Sequence, residues 1–463
     1  MRNRAAESTK LSDFLRCRPA SDDDVESSKP PETEAAAIPA HCSDLSGESR
    51  AGSSPYNLSP WNPSAAPSPF IRSPWTYSAA AVAPVSDANG DYSTGLLCSM
   101  VREQGHVYSL ATAGDLLYTG SDGKNIRVWK NRGEFGGFKS SSGLVKAIVV
   151  SGDGKVFTGH QDGKIRVWRA SSKDPAVHKR VGTLPRFKDF LMSSVRPSGY
   201  VRVRRRRSAV WLRHFDAVSC LCLAAGGRLL YSGSWDRTLK VWRVSDSKCL
   251  ESVNAHDDAV NAVAAGFDGL VFSGSADGTV KVWRREEATG RHVAEGTLLR
   301  HESAVTALAV AEKAGVVYSG SSDGVVDFWV KRRNMEHCGV LRGHGKAVLC
   351  LAAAGSLVIS GSADKTICVW RREWVAAAPE MVHVLVTVLI GHEGPVKCLA
   401  VEEDSGDGGE TPAGGRRWAV YSGSLDGSVK VWRVAEPSAR LSLLLPPVEP
   451  TAATRGEFRR AWA

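Results

Sequence analysis

The chain has 463 residues, 43% of them hydrophobic, ten cysteines and a formal net charge of +10. The polar start MRNRAAESTKLSDF lacks the apolar core of a secretory signal. The longest apolar run, Val382 to Ile390, is too short to span a bilayer. A cytoplasmic or nuclear protein with reduced thiols is therefore expected; no CxxC pair points to zinc or a redox dithiol, and no cofactor is expected.

Residues 1–92 are rich in Ser, Pro, Ala and acids without sustained periodicity, the composition of a disordered tail. Inside it, "SPYNLSPWNPSAAPSPFIRSPW" sets Tyr56, Trp61, Phe70 and Trp75 among four Ser-Pro pairs. This fits a docking motif or a proline-directed phosphorylation cluster, and equally a tail whose aromatics pack on the body.

From 93 to 445 the chain writes nearly the same eleven residues seven times, ending at Trp129, Trp168, Trp242, Trp283, Trp329, Trp370 and Trp432. "SGSWDRTLKVW" and "SGSADGTVKVW" are typical copies. Each unit reads as an apolar strand such as "VNAVAA", a strand ending in Ser-Gly-Ser, an Asp-Gly turn, an alternating strand such as "TVKVW", and a fourth strand before the next His. Seven such units, counted from Gly95 onward, predict an all-β, seven-bladed propeller, because one blade cannot bury its own faces. Two units are stretched. The interval from Trp168 to Trp242 is 74 residues against 41 from Trp242 to Trp283, and a basic insertion is expected at about 171–210. It holds the whole charge excess: thirteen Lys or Arg face two Asp between Arg169 and Arg213. The last unit contains a loop at 402–417, and 446–463 forms a C-terminal tail.

These units resemble the WD40-repeat family. The resemblance implies a buried hydrogen-bonded set of His, Ser or Thr, Asp and Trp in each blade. Five units carry all four: His214, Ser232, Asp236 and Trp242; His256, Ser273, Asp277 and Trp283; His301, Ser319, Asp323 and Trp329; His344, Ser360, Asp364 and Trp370; His392, Ser422, Asp426 and Trp432. The first unit has Gly123 at the Asp position, and the second has no His before its first strand, so these two blades are expected to be weaker. A Ser-His-Asp triad is not implied. A catalytic triad occurs once, on an exposed nucleophile, whereas this set recurs and ends each time on a Trp whose N–H needs a partner. No catalytic residue is expected.

The tail motifs, "GHVYSLATAGDLLYTGSDGKNIRVWKN" and the insert "HKRVGTLPRFKDFLMSSVRP" before "YVRVRRRR" further resemble the plant JINGUBANG group. That resemblance implies a plant regulatory adaptor associated with pollen germination and tube growth. The family's fold implies that partners meet an upper face built from two sets of residues. The residues before each turn Asp are Gln161, Trp235, Ala276, Ser322, Ala363 and Leu425. The starts of the inner strands are Tyr108, Lys146, Ser219, Asn261, Thr306, Leu349 and Lys397. Trp235 stands out among small or polar equivalents, and aromatics beside a cation are common binding hot spots. In "VRVRRRR", Arg202, Arg204, Arg205, Arg206 and Arg207 suit either an edge strand guarded by charge or an anion or importin contact.

The leading expectation is a monomeric, non-enzymatic scaffold for regulatory proteins, transcription factors among them. The alternative is an RNA- or phosphoinositide-binding module acting through the arginines, although base-stacking aromatics are not interleaved there and nucleic acid is not the expected partner. A ubiquitin-ligase substrate receptor of the cullin type is disfavoured, since every closing Trp is followed by Lys, Arg or Val. A G-protein β role is disfavoured by the absence of helical heptads in the tail.

Overall fold

Each Ser-Gly-Ser copy becomes the second strand of a four-stranded antiparallel sheet, because alternating apolar residues on both sides give it two buried faces. The computed structural model describes residues 94–100, 105–140, 143–195, 200–204, 207–300, 302–375, 380–404 and 416–436. Trp61, Phe70 and Trp75 of the N-terminal segment, Arg205, Arg206, His301, residues 405–415 and the 446–463 tail lie outside the described residues. The first blade consists of Val107–Ala113, Leu116–Ser121, Asn125–Lys130 and Gly133–Lys139, and six more sheets of the same order follow. Each innermost strand packs on the next, and Val396–Glu403 of the seventh packs back on Val107–Ala113 of the first, so the ring is closed.

Closure uses a strand that the repeat pattern does not assign. Gly95–Met100, where the sequence pattern places the start of the first unit, pairs antiparallel with Val429–Glu436 as the fourth strand of the seventh blade. It buries Met100 with Val107, Val429 and Val431 and thereby fastens the beginning of the ring to its end. In the seventh blade the paired strands run to Glu403 and resume at Arg416, so the ends of the expected 402–417 loop belong to the sheet.

The glycine of each second strand, whether in Ser-Gly-Ser, Thr-Gly-Ser or Thr-Gly-His, is explained by its neighbour. A Cβ on Gly120, Gly159, Gly233, Gly274, Gly320, Gly361 or Gly423 would lie 2.6–2.8 Å from Cγ1 of Val145, Val218, Val260, Val305, Val348, Val396 or Val107. In every case that valine opens the inner strand of the next blade and is fully buried. Only a residue without Cβ lets adjacent blades approach this closely. Outside this contact, tyrosines of alternate blades reach across the joint: Tyr118, Tyr231 and Tyr318 lie 3.2, 3.1 and 2.8 Å from Nε2 of His178, His292 and His383.

The expected polar set holds each complete blade together internally. In the third, Trp242 Nε1–H donates to Ser232 Oγ at 2.8 Å, and Ser232 Oγ lies 2.8 Å from His214 Nε2. His214 Nδ1 faces the Asp236 carboxylate at 3.1 Å, and Asp236 also accepts from Thr238 and from the Phe215 backbone N–H. The direction of donation follows from the chemistry. Indole donates to hydroxyl, hydroxyl to imidazole Nε2, and Nδ1–H to carboxylate, which requires a neutral imidazole. Burial holds His214 below the usual histidine range. Burial alone would raise Asp236, but His214, Thr238 and the Phe215 N–H outweigh it and keep the carboxyl ionised. The fourth, sixth and seventh blades repeat the chain through His256, His344 and His392.

Three blades depart from this scheme. In the first, Trp129 bonds Thr119 at 3.2 Å, while His106 is exposed and its ring turns to the Leu425 carbonyl of the seventh blade. In the fifth, Asp323 caps its turn by accepting from the Val325 N–H, but the buried Trp329 Nε1 has no hydrogen-bond partner among the described residues. The second blade corrects the sequence expectation. His160, two residues after Thr158 where the other blades carry Ser, places Nε2 2.7 Å from Thr158 Oγ1, and Trp168 donates to the same hydroxyl at 2.9 Å. Asp162 is released from histidine and instead pairs with Arg166 at 2.8 Å.

Two outcomes are expected. Gly274→Ala should cost about 1–3 kcal/mol by overpacking, and in denaturant unfolding the double variant with Val305→Ala should lose less than the two singles combined. Trp242→Phe should destabilise by about 1–2 kcal/mol through its lost hydrogen bond, whereas Trp329→Phe, which breaks none, should cost clearly less in the same measurement.

Candidate functional site

The residues before the turn Asp occupy one repeated position. The backbone N–H groups of Gln161, Trp235, Ala276, Ser322, Ala363 and Leu425 donate to Leu144, Ala217, Ala259, Ala304, Ala347 and Pro395, just ahead of the inner strands. This brings the two sequence-derived sets onto the same end of the ring. Of these thirteen residues, three from three different blades bring their side chains together.

Lys146 of the second blade holds its Nζ 4.1 Å from the ring centroid of Trp235 in the third blade and 5.6 Å from that of Tyr108 in the first. Each is half-buried. His106 adds an edge-on contact to Tyr108 with ring centroids 6.2 Å apart. A cation between two aromatic faces is attracted to both quadrupoles by about 0.5–2 kcal/mol, which fixes the ammonium before any partner arrives. Such a cluster offers rigid aromatic area and a positioned positive charge, the composition that favours acidic or aromatic side chains of a protein partner.

The other expected contacts are mostly committed to the ring. Asn261 Nδ2 donates to Val305 O at 2.9 Å, and the Ser219 and Thr306 hydroxyls donate to Val260 O and Val348 O, each across a blade joint. Leu349 is 5% exposed and belongs to the core, which corrects its assignment to the partner face. Leu425 gives its carbonyl to His106. Lys397 is half-buried, and burial pulls its ammonium below the usual lysine range. Gln161 stays half-buried near Leu144.

One residue escaped sequence reasoning. Phe215 follows His214 on the loop whose backbone N–H bonds Asp236, next to Trp235, and is 36% exposed. The equivalent positions are Asp257, Glu302, Gly345 and Glu393. A phenylalanine among acidic and small residues was a legible signal of an added contact.

The basic insertion is narrower than 171–210. His178–Leu184 is the regular fourth strand of the second blade, so the foreign part begins after Leu184. It forms a helix, Phe187–Val195, and a two-stranded hairpin, Tyr200–Arg204 with Arg207–Val210, separate from the blades. Arg202, Arg204 and Arg207 lie in the hairpin strands. Val210 and Leu212 anchor the insertion between the second and third blades, with Phe190 and Trp211 packed against them. Phe187, Leu191 and Val195, spaced four residues apart, are exposed along the helix beside exposed Arg186 and Lys188. Among the described residues, no helix is long and apolar enough to cross a membrane.

Comparison with known proteins matches the family model "WD domain, G-beta repeat" to residues 98–130, 133–169, 206–243, 247–284, 335–371 and 383–433, together half of the chain. The stretch left between 284 and 335 contains most of the fifth blade, where Asp327 stands at a position that is Lys or Arg in five blades and Trp329 has no bond among the described residues. The chain is 28% identical over 225 residues to nuclear distribution protein nudF 1 of Talaromyces marneffei, covering 49% of this chain and 40% of that protein. It is 27% identical over 235 residues to autophagy-related protein 16 of Arabidopsis thaliana, covering 47% and 45%. Protein ROOT INITIATION DEFECTIVE 3 of the same plant is 28% identical over 206 residues, covering 41% and 46%. The chain thus spans less than half the length of these relatives.

The second blade sets a pH dependence. Burial first, and the Arg166 charge next, push His160 down to about 4 from an ordinary 6.5. The unfolded chain therefore binds the proton more readily, so the contribution is full above pH 6.5 and is lost as pH falls toward 4. The melting temperature should fall across that window, and a His160→Asn variant should show a shallower fall in the same thermal scans.

Proposed function

This chain belongs to the WD40-repeat family, and on that premise we propose that it is a non-enzymatic scaffold holding protein partners on its upper face. The observation that carries the reading is Lys146 fixed between Tyr108 and Trp235, three side chains from three different blades. The His, Ser and Asp residues that would suggest hydrolysis are spent in buried bonds to Trp, which supports a role without catalysis. By its resemblance to the JINGUBANG group, the scaffold serves a plant regulatory pathway, with pollen germination and tube growth as the proposed process. Regulatory proteins, transcription factors among them, are the proposed partners, and the cytoplasm or nucleus the proposed compartment.

A second reading has one observation in its favour. The exposed Phe187, Leu191 and Val195 beside basic side chains are the pairing used by helices that lie on anionic lipid. It suits a phosphoinositide surface better than RNA, which offers nothing to an apolar stripe.

Affinity purification from plant extract compares the wild type with Trp235→Ala and Lys146→Ala. Both variants are expected to lose partners while keeping the wild-type melting temperature; retention of every partner by both sinks the scaffold site. In co-sedimentation with phosphoinositide-containing vesicles, the second reading expects binding that weakens with salt and disappears in Phe187→Asp. Vesicle binding equal in wild type and variant contradicts it.

A further inference from the structure

The outer strand of the sixth blade, Glu380–Ile390, reads EMVHVLVTVLI and is eleven residues long. The outer strand of a propeller blade presents an unpaired backbone edge, and proteins ordinarily guard such edges with charge. The first five blades follow that rule with Lys139, Lys179, Lys248, Glu295 and Glu336 in their outer strands. From Met381 to Ile390 there is no Asp, Glu, Lys or Arg. His383, the one titratable side chain there, is turned to Tyr318 of the fifth blade.

The same strand exposes an unusual amount of apolar surface. Ile390 is 72% exposed and Val382, Val384 and Leu385 are each 42% exposed, with Val386 and Val388 close behind. The neighbouring strand Thr366–Val375 runs five residues past Trp370, and there Trp374 pairs with Met381 and is 57% exposed. Together these residues line the outer edge of the blade with exposed apolar surface, which in a soluble protein marks an interaction site. Pairing two such edges would set the apolar side chains of each face beside those of the other copy across the new joint.

We propose that Glu380–Ile390 pairs antiparallel with the same strand of a second copy of this chain, joining two sixth blades into one continuous sheet. A two-fold axis at Val386 sets Val384 opposite Val388 and Val382 opposite Ile390, so β-branched side chains meet β-branched side chains. No like charges oppose each other along Met381–Ile390, which is what self-pairing requires. A partner recognised by charge finds nothing to read on this edge. The dimer departs from the monomer expected from the repeats alone, and it does not depend on the upper-face reading, whose residues lie in the first three blades.

Sedimentation velocity of the full chain between about 1 and 100 µM tests the proposal. The wild type is expected to move from monomer to dimer across that range. The doubly substituted Val384→Lys, Val388→Lys protein should stay monomeric at an unchanged melting temperature. In addition, Val386→Cys, placed at the axis, should form a disulfide-linked dimer on mild oxidation that the wild type does not form. A wild type that remains monomeric at the highest concentration, or a dimer that survives the two lysines, overturns the proposal. Should the lysine variant fold poorly, the cysteine variant decides, and absence of its cross-link overturns the proposal equally.

Discussion

Seven contacts between a glycine and a valine set the spacing of the whole ring. Each blade offers the bare Cα of the glycine in its second strand, and the next blade fills that space with the first valine of its inner strand. The contact is short-range and steric, so it tolerates neither a Cβ on one side nor a polar residue on the other. Because a blade is apolar on both faces, no blade is satisfied until both neighbours are in place. The last of the seven contacts, Gly423 on Val107, and the strand Gly95–Met100 together close the circle.

The polar chains of Trp, Ser, His and Asp come second to that constraint, and the departures show it. The fifth blade leaves Trp329 without a hydrogen bond among the described residues, the first sends His106 to another blade, and the second rebuilds its chain from His160. All three retain the glycine–valine contact. A buried network can thus be rewired as long as its donors find acceptors, while the inter-blade spacing cannot. Residues with catalytic reputations are absorbed into this framework, which leaves recognition to side chains that the repeats do not share.

Much of this was legible in the chain. The Trp-terminated period specified seven blades because a repeat of that length with strand alternation has no other way to bury its faces. Trp235 was readable as an outlier at a fixed position and Tyr108 and Lys146 as members of the inner-strand set, and the ring geometry was needed to bring them together. Other features were illegible for physical reasons. Gly95–Met100 lies beside the first repeat in sequence and pairs with the last in space, a contact that periodicity cannot express. His160 was hidden because it reaches the network from a different strand, so a search by spacing found an absence where the chemistry was present. Asn261, Ser219 and Thr306 looked like partner contacts because polar residues at an inner strand's start serve equally well to bond the next blade's carbonyl.

Closure makes the ring one cooperative unit, and its most direct test is at the joint that joins the two ends. Hydrogen exchange measured by mass spectrometry on a Met100→Asp variant places a charge in the buried closing strand against Val429 and Val431. If every blade depends on both neighbours, protection should fall in all seven blades together. Loss confined to the seventh blade, with the first six exchanging as in the wild type, would contradict closure as the constraint that holds the fold.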